Sequence, residues 1–247
     1  MDLEADCSRC SGLCCVAPAF ARSADFGLSK SARTPCPHLA VTAPGEAAPC
    51  TIHTELPERG FPGCVTFDCF GAGQRVTAWA DWRVAPDEAF GAFDVMRALH
   101  EVLWYLAEPI DVLADERAAL AGRVAALGPE ADVAAVRAEA GELLGRLSEA
   151  VRGPGGRSTA RADLVGKDLR RRRLADTSLR GALLMGADLR GVDLGRSDLL
   201  GADLRGADLR GASLSGVLFL TNPQVTSAHG DAATALPARV HRPAGWG

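Results

Sequence analysis

Eight cysteines are the residues of this 247-residue chain whose type and spacing best support chemistry. All of them lie within the first 69 positions: Cys7, Cys10, Cys14, Cys15, Cys36, Cys50, Cys64 and Cys69. Thiolates are preferred ligands of zinc and iron–sulfur centres, and a C-x-x-C spacing lets one tight turn deliver two sulfur atoms to one site. The spacing therefore indicates a metal-binding module.

The composition as a whole predicts the compartment. The chain has no uninterrupted apolar run near 18 residues and no basic-then-apolar leader before Cys7, so neither a membrane span nor a secretory signal is expected. Arginine greatly outnumbers lysine, which is typical of a bacterial coding habit. We expect a cytoplasmic bacterial protein whose thiols stay reduced, and this favours metal binding over disulfides.

The order of the cysteines resembles that of a known bacterial family. The series Cys7-x2-Cys10-x3-Cys14-Cys15 is followed by Cys36-Pro-His38-Leu, by Cys50-Thr-Ile-His53 and by Cys64-x4-Cys69. Over about residues 7–70 this is similar to the CxxCxxxCC family, described as a zinc- or iron-chelating domain. The resemblance implies that all eight cysteines are metal ligands and that the cofactor is an iron–sulfur cluster or zinc, of which we favour the cluster. His53 departs from the tyrosine usual there.

The arrangement of the ligands stays open at this point. Because Cys14 and Cys15 are adjacent, we expect one of them to join Cys7 and Cys10 while its neighbour faces a second ion or the core. Eight thiols could form two four-thiolate sites, one cluster plus structural thiols, or a mixed set with His38 or His53.

A helical region follows, from residue 86 to about residue 151. Apolar residues recur at intervals of three and four from Phe90 to Leu106, and Pro86 suits a first turn. Glu108-Pro109 and Gly128-Pro129 interrupt the pattern, so two or three antiparallel helices are predicted, as a hairpin or bundle. Their apolar stripes could also support a homodimer.

From residue 162 the sequence repeats every five residues over twelve units. Leucine recurs at the centre of each unit from Leu164 to Leu214, and Phe219 takes the same place in the last. A five-residue period matches neither a helix nor a flat strand, so the backbone must turn after each unit, with the centre and the residue two before it pointing inward.

These units resemble the pentapeptide-repeat family, whose A(D/N)LxG units build a β-helix. The resemblance implies a right-handed, quadrilateral solenoid with four units per coil, hence about three coils over residues 162–221. The tail after residue 221 resembles a cap. Lys167 and Arg172 at inward positions predict an irregular first coil covered by the helices.

The charges of the repeat segment limit its functions. Residues twenty apart should stack, which gives one outward column of aspartates and a neighbouring column of arginines. Between residues 157 and 220 there are 12 Arg and Lys residues against 8 Asp residues, so the segment is net +4. A short, basic segment is a poor imitation of duplex DNA. Direct binding to nucleic acid is also disfavoured, because the run from Arg170 to Arg173 has no interleaved aromatic residue.

The sequence thus predicts a multi-domain protein. The predicted segments are a cysteine-rich metal-chelating module (1–84), an α-helical region (85–152), a linker (153–161), a pentapeptide-repeat β-helix (162–221) and a C-terminal cap and tail (222–247). We find no nucleophile–base pair or phosphate loop, so a non-enzymatic protein that binds a protein partner through the solenoid is favoured. The alternatives are an iron–sulfur-dependent redox or modifying component, and protection of DNA gyrase or topoisomerase IV by DNA mimicry.

Overall fold

The computed structural model describes residues 2–247, which form two compact units. The first unit comprises the chain up to Ala107 together with Ala114–Glu142, and the second comprises Glu108–Leu113 and Leu143–Gly247. The division falls within the helical region, so the five segments stay a prediction as domains. No helix within the described residues has the length and apolar character needed to cross a membrane.

The cysteine-rich part of the first unit is built from short elements. They are 3-10 turns at Cys7–Arg9 and His53–Glu55 and the helices α1 (Leu13–Val16), α2 (Pro62–Val65) and α3 (Ala72–Thr77). Antiparallel bridges join Phe20 to Lys30 and Leu39 to Cys50. Helices of one or two turns are not stable alone, so tertiary contacts must fix these elements.

Longer helices follow, as the sequence predicts. They are α4 (Pro86–Leu106), α5 (Ala114–Ala125) and α6 (Val133–Arg152). Helix α4 begins with Pro86 in its first turn and buries the predicted apolar stripe that includes Phe90, Phe93 and Leu99. It packs against α3 and α5. Helix α6 begins in the first unit, and its residues from Leu143 onward belong to the second.

The second unit contains a ladder of parallel bridges between residues twenty positions apart. Examples are Asp168 with Asp188 and Asp188 with Asp208. Among the described residues these are isolated bridges rather than long strands, because the backbone turns after every five residues. Glycines such as Gly186 occupy these turns, with a φ of 64° that suits a residue without a side chain. Each stretch of twenty residues from one paired position to the next forms one coil.

The interior of these coils follows the repeat. Every central residue from Leu169 to Phe219 is buried, as are small residues two positions earlier, such as Ala182 and Ala207. The first coil is irregular, as predicted, because Leu164 is only half-buried. Lys167 and Arg172 are both exposed, however, so neither side chain points inward as its place in the repeat predicts. Long cations turn to solvent because burying their charge is costly. That the helices cover the first coil stays a prediction.

The tail pairs with the last coil. His229 bridges Asp208 and Ala235 bridges Ser213, so the ladder gains two further rungs although the five-residue period has ended. Helix α7 (Asn222–Thr226) lies between the last repeat unit and His229, and it begins with a capping box formed by Thr221 and Gln224. The tail thus satisfies backbone groups that would otherwise form an open edge.

Candidate metal centre

One cavity in the first unit is lined by all eight cysteines. Its volume is about 910 Å³, and its wall also contains His38, His53 and the rings of Phe20 and Phe61. All eight cysteines are free thiols. Residues up to 62 positions apart in the sequence are therefore brought to one space, although no three Cys, His, Asp or Glu side chains within residues 2–247 already stand in a metal-coordinating arrangement.

The first four cysteines are positioned by two short turns. Cys7 and Cys10 flank the first 3-10 turn, where the Cys10 amide donates to the Cys7 carbonyl. Gly12, with φ of 79°, precedes α1, which carries Cys14 and Cys15. The sulfur atoms of Cys14 and Cys15 are 3.9 Å apart. This distance alone does not test the expectation that one of them joins Cys7 and Cys10 while its neighbour faces a second ion or the core.

Burial raises the pKa of Cys36 and of Cys50, and one backbone N–H group in each turn opposes this rise. The backbone N–H of His38 donates to the Cys36 sulfur, and the N–H of Ile52 donates to the Cys50 sulfur. The two turns are held together because the Thr51 amide donates to the His38 carbonyl at 2.8 Å. Such N–H donors favour the charged form of the thiol, which is the form that binds metal.

Cys69 lies in a third turn of this kind. Its sulfur accepts from the backbone N–H groups of Gly71 and Gly73. Gly73 also separates two sulfur atoms: a Cβ atom at this position would lie 2.8 Å from the Cys10 sulfur and 3.6 Å from the Cys69 sulfur. The absence of a side chain at Gly73 therefore lets Cys10 and Cys69 approach each other.

Burial and mutual repulsion keep most of these thiols protonated without metal. Burial, together with the nearby Cys10 and Cys69, raises the pKa of Cys7 to about 11. Burial likewise raises the pKa of Cys64 to about 11, with a contribution from the nearby thiols of Cys15, Cys36 and Cys50. A cation among them would remove this repulsion, since metal binding displaces the thiol protons.

Cys15 differs from the other thiols. Its pKa is lowered because the Cys14 thiol donates a hydrogen bond to it and because the positive charge of Lys30 is near. Lys30 is buried, and its ammonium donates to the backbone carbonyls of Val16, Pro18, Ser31 and Thr34. The charge of Lys30 also acts on Cys36. This places a fixed cation beside part of the cysteine set.

Lys30 and His100 both hold backbone groups near the cysteines, although neither residue is predicted from the sequence to have a role. Lysine is rare in this arginine-rich chain, which was the available signal for Lys30. His100 on α4 is buried, and its Nδ1 lies 2.6 Å from the Phe70 carbonyl. Burial lowers the pKa of His100, so the neutral ring donates from Nδ1. This bond holds Phe70, whose φ is 50°, directly after Cys69.

In the second unit the predicted charge columns are present as a ladder of ion pairs. We define the charged row as Asp168, Arg170, Asp188, Arg190, Asp208 and Arg210. Arg170 binds Asp168 at 2.7 Å and reaches Asp188 of the next coil at 3.2 Å, and Arg190 repeats the pattern. The carboxylates are thus neutralised locally, which gives a row without a strong net charge.

A neighbouring row is apolar instead. We define the apolar row as Val165, Leu183 and Met185; Val165 is 43% exposed and Leu183 is 41% exposed. Leu183 bridges Asp163 and Asp203, so it takes a position that aspartate fills in the coils before and after. Met185 contacts the guanidinium of Arg205. Apolar side chains therefore replace charged ones at the surface here.

Comparisons with known proteins support the repeat. The family described as pentapeptide repeats (8 copies) matches residues 160–191 and 182–219. The uncharacterized protein YybG of Bacillus subtilis (strain 168) is 45% identical over 270 aligned positions, which cover 99% of this chain and 95% of YybG.

Two solved structures are also similar in sequence. The pentapeptide repeat protein Rfr23 of the cyanobacterium Cyanothece 51142 is 33% identical, with a TM-score of 0.24, over 32% of this chain and 50% of its own. A pentapeptide repeat protein from the Arabidopsis thaliana thylakoid lumen is 26% identical, with a TM-score of 0.24, over 35% of this chain and 55% of its own. The chain thus spans about half the length of either solved protein.

Proposed function

Because the chain is a pentapeptide-repeat protein and belongs to the same family as YybG, we propose that it is an interaction protein with a thiolate metal centre. The repeats would form a right-handed, quadrilateral β-helix that binds a protein partner, and the cysteine-rich module would bind an iron–sulfur cluster or zinc. The pairing of residues twenty apart supports four five-residue units per coil.

The observation that carries the metal proposal is the single cavity lined by all eight cysteines. Thiols that served only as packing residues would have no reason to face one space from separate turns. The donor set is also suitable, because thiolates select zinc and iron–sulfur centres over magnesium or calcium. The N–H donors at Cys36, Cys50 and Cys69 would stabilise the bound thiolates.

The apolar row supports a protein partner. Two of its side chains, Val165 and Leu183, are exposed, and Met185 is half-buried. A large exposed apolar patch on a soluble surface commonly marks an interaction site. The charged row favours this over DNA mimicry, because each of its aspartates is paired with an arginine rather than presented to a basic partner. We therefore assign partner binding to the apolar row and solubility to the charged row.

The volume of the cavity supports a second candidate function. About 910 Å³ falls in the range of roughly 300–1,000 Å³ typical of small-molecule pockets, and apolar rings of Phe20 and Phe61 form part of the wall. An iron–sulfur centre there would supply electron transfer to a bound substrate. The chain would then be a redox or modifying component.

Anaerobic purification followed by metal and sulfide analysis tests the metal centre. We expect iron with equimolar sulfide and visible absorbance that bleaches with dithionite, or stoichiometric zinc in colourless protein. The zinc result would contradict the redox candidate alone. Metal-free protein from both anaerobic and zinc-supplemented preparations would contradict the metal proposal. His38→Gln and His53→Gln serve as matched controls, and retention of full metal content would assign the site to cysteines.

Photo-cross-linking in cells tests the partner surface. A photoreactive residue at position 183 should capture a specific protein, whereas the same residue at position 188 in the charged row should not. The purified partner should bind the full chain and lose at least tenfold in affinity with Leu183→Asp, since about 1.4 kcal/mol corresponds to tenfold. Unchanged affinity for that variant would contradict the role of the apolar row.

A further inference from the structure

We propose that the cavity contains two four-thiolate sites, with the adjacent residues Cys14 and Cys15 each contributing to a different one. Site I consists of Cys7, Cys10, Cys14 and Cys69. Site II consists of Cys15, Cys36, Cys50 and Cys64. The inference rests on the proposed metal-binding function and adds the number of sites and their ligands.

Backbone geometry groups the members of site II. The Cys36 amide donates to the Cys15 carbonyl at 3.0 Å, which places the Cys36 turn against α1. Cys50 is tied to the same turn through the Leu39 bridge. Cys50 and Cys64 pack together against the buried cluster of Ile52, Leu56 and Phe61. The segments that carry Cys36, Cys50 and Cys64 are therefore linked to one another, and the first of them contacts the backbone of Cys15.

A different set of contacts groups the members of site I. Cys10 and Cys69 approach each other across Gly73. The Cys10 amide donates a hydrogen bond to the Cys7 carbonyl, which closes the first 3-10 turn. Helix α3 carries Gly73, and the Thr77 hydroxyl on the same helix contacts the Cys10 sulfur at 3.9 Å. Site I thus depends on α3, whereas the site II contacts involve the turns around Cys36 and Cys50.

The backbone contacts separate the adjacent residues Cys14 and Cys15 first, because it is the Cys15 carbonyl that accepts the Cys36 amide. Their electrostatic neighbours agree with this division in part. Apart from each other, Cys14 interacts with Cys10 and Cys7, both in site I. Cys15 acts on Cys36, Cys50 and Cys64, which are the other members of site II. Cys15 also acts on Cys7, so the two sites are close to each other. The 3.9 Å sulfur contact between Cys14 and Cys15 then marks their boundary.

The sites differ in charge. The Lys30 ammonium donates to the carbonyls of Val16 and Thr34, so it lies near Cys15 and Cys36 and offsets part of the negative charge that four thiolates bring to site II. Site I has carboxylates near it instead, because Asp6 acts on Cys7 and Asp68 acts on Cys69. A divalent ion with four thiolates carries a net charge of −2, which a fixed cation stabilises. Site II should therefore fill first.

Titration of the full-length, reduced, metal-free chain with Co²⁺ and then Zn²⁺ tests the proposal. Native mass spectrometry should show two bound ions per chain, and the cobalt spectrum should show intense sulfur-to-metal charge transfer. At one equivalent of Zn²⁺, alkylation and peptide mapping should find the four site II thiols protected before those of site I. This measurement needs no variant.

Cysteine variants test the ligand assignment. Cys69→Ser and Cys64→Ser should each reduce binding from two ions to one. The double variant Cys7→Ser/Cys69→Ser, within site I, should still bind one ion, whereas Cys64→Ser/Cys69→Ser should bind none. Cys14→Ser should leave site II thiols protected, and Cys15→Ser should leave site I thiols protected.

The outcomes separate this inference from the proposed function. One ion per chain, or a single polynuclear centre lost equally in both double variants, would overturn the two-site assignment and leave the metal function intact. The assignment would also be overturned if Cys14→Ser left the site I thiols protected and Cys15→Ser left the site II thiols protected. Absence of any bound ion would overturn both proposals.

Discussion

Glu108 and Arg239 form an ion pair at 3.0 Å within the second unit, although 131 positions separate them. Glu108 is buried, with 5% exposure of its side chain, and Arg239 is partly buried, with 14% exposure. The Glu108 carboxylate also accepts the backbone N–H of Phe219, the last central residue of the repeat. A residue that the sequence shows only as a helix interruption therefore joins the last coil to the tail.

Glu108→Ala should destabilise the second unit by about 3–5 kcal/mol. The change removes the carboxylate that neutralises Arg239 and accepts from Phe219, and breaking a buried pair from one side is costly. Urea denaturation monitored by circular dichroism would measure the loss. Asp168→Ala in the exposed charged row is the control and should leave the midpoint unchanged. Equal midpoints for Glu108→Ala and wild type would contradict the structural role.

Gly73→Ala should impair metal binding at the cysteine cavity. The added methyl group would lie 2.8 Å from the Cys10 sulfur, so Cys10 and Cys69 could not keep their approach. We expect weaker metal binding, measured by competition with a chromophoric chelator. Gly91→Ala on α4 is the matched control, because nothing lies within 4 Å of its added methyl group. It should retain metal and gain about 0.5–1 kcal/mol of stability.

Asp81→Asn should destabilise the first unit in a pH-dependent way. Hydrogen bonds from Arg83, together with the Gly45 amide, hold the pKa of Asp81 well below its usual range. Arg83 in turn donates to carbonyls of Thr42 and Glu46, so the pair fixes the loop between Cys36 and Cys50. Hydrogen bonds to charged groups contribute about 1.5–3 kcal/mol, which sets the expected loss at pH 7.

The sign of the pH effect follows from the lowered pKa. A carboxylate with a depressed folded-state pKa contributes its stability above the unfolded value of about 3.9, and the contribution is lost as the pH falls toward the folded value. The difference between wild type and Asp81→Asn should therefore be full at pH 7 and shrink below about pH 4. Urea midpoints at pH 7, 5 and 3 measure it, with Glu58→Gln as an exposed control. A constant difference would contradict the assignment.

Metal removal should loosen the cysteine-rich segment selectively. Its regular elements are very short, and structural zinc contributes on the order of 10 kcal/mol in small modules. After chelation we expect tryptic cleavage after Arg22 and Arg59 to accelerate at least tenfold. Cleavage after Arg190, within the coils, should be unchanged. Equal rates with and without metal would indicate that the fold of this segment does not depend on a bound ion.

The repeat and the helices could be predicted from the sequence because each is periodic. Leucine at every fifth position from Leu169 onward returns to the same buried environment once per unit, and the stripe on α4 returns at helical spacing. The period of the apolar residues therefore predicts which side chains are buried. The irregular first coil could also be predicted, since Lys167 and Arg172 break the pattern. The sequence alone does not show that both side chains are exposed to solvent.

The cysteine-rich segment was predictable only in composition. Its residues follow no period, so the spacing of Cys36 and Cys50 could indicate ligands but not which sulfur atoms share a site. The rarity of lysine draws attention to Lys30, but neither it nor any local pattern at His100 indicates their partners, because the groups they bind are backbone carbonyls. The metal ligands stay a prediction, which the experiments above address.

The pairing of the tail with the last coil limits how the repeat can change in length. His229 bridges Asp208 and Ala235 bridges Ser213 only while those positions keep their place in the coil. Inserting or deleting a whole coil ahead of the tail would preserve every row, whereas inserting a single five-residue unit would shift the tail by one row and set His229 beside the wrong partner. Length variants in evolution should therefore differ by multiples of one coil.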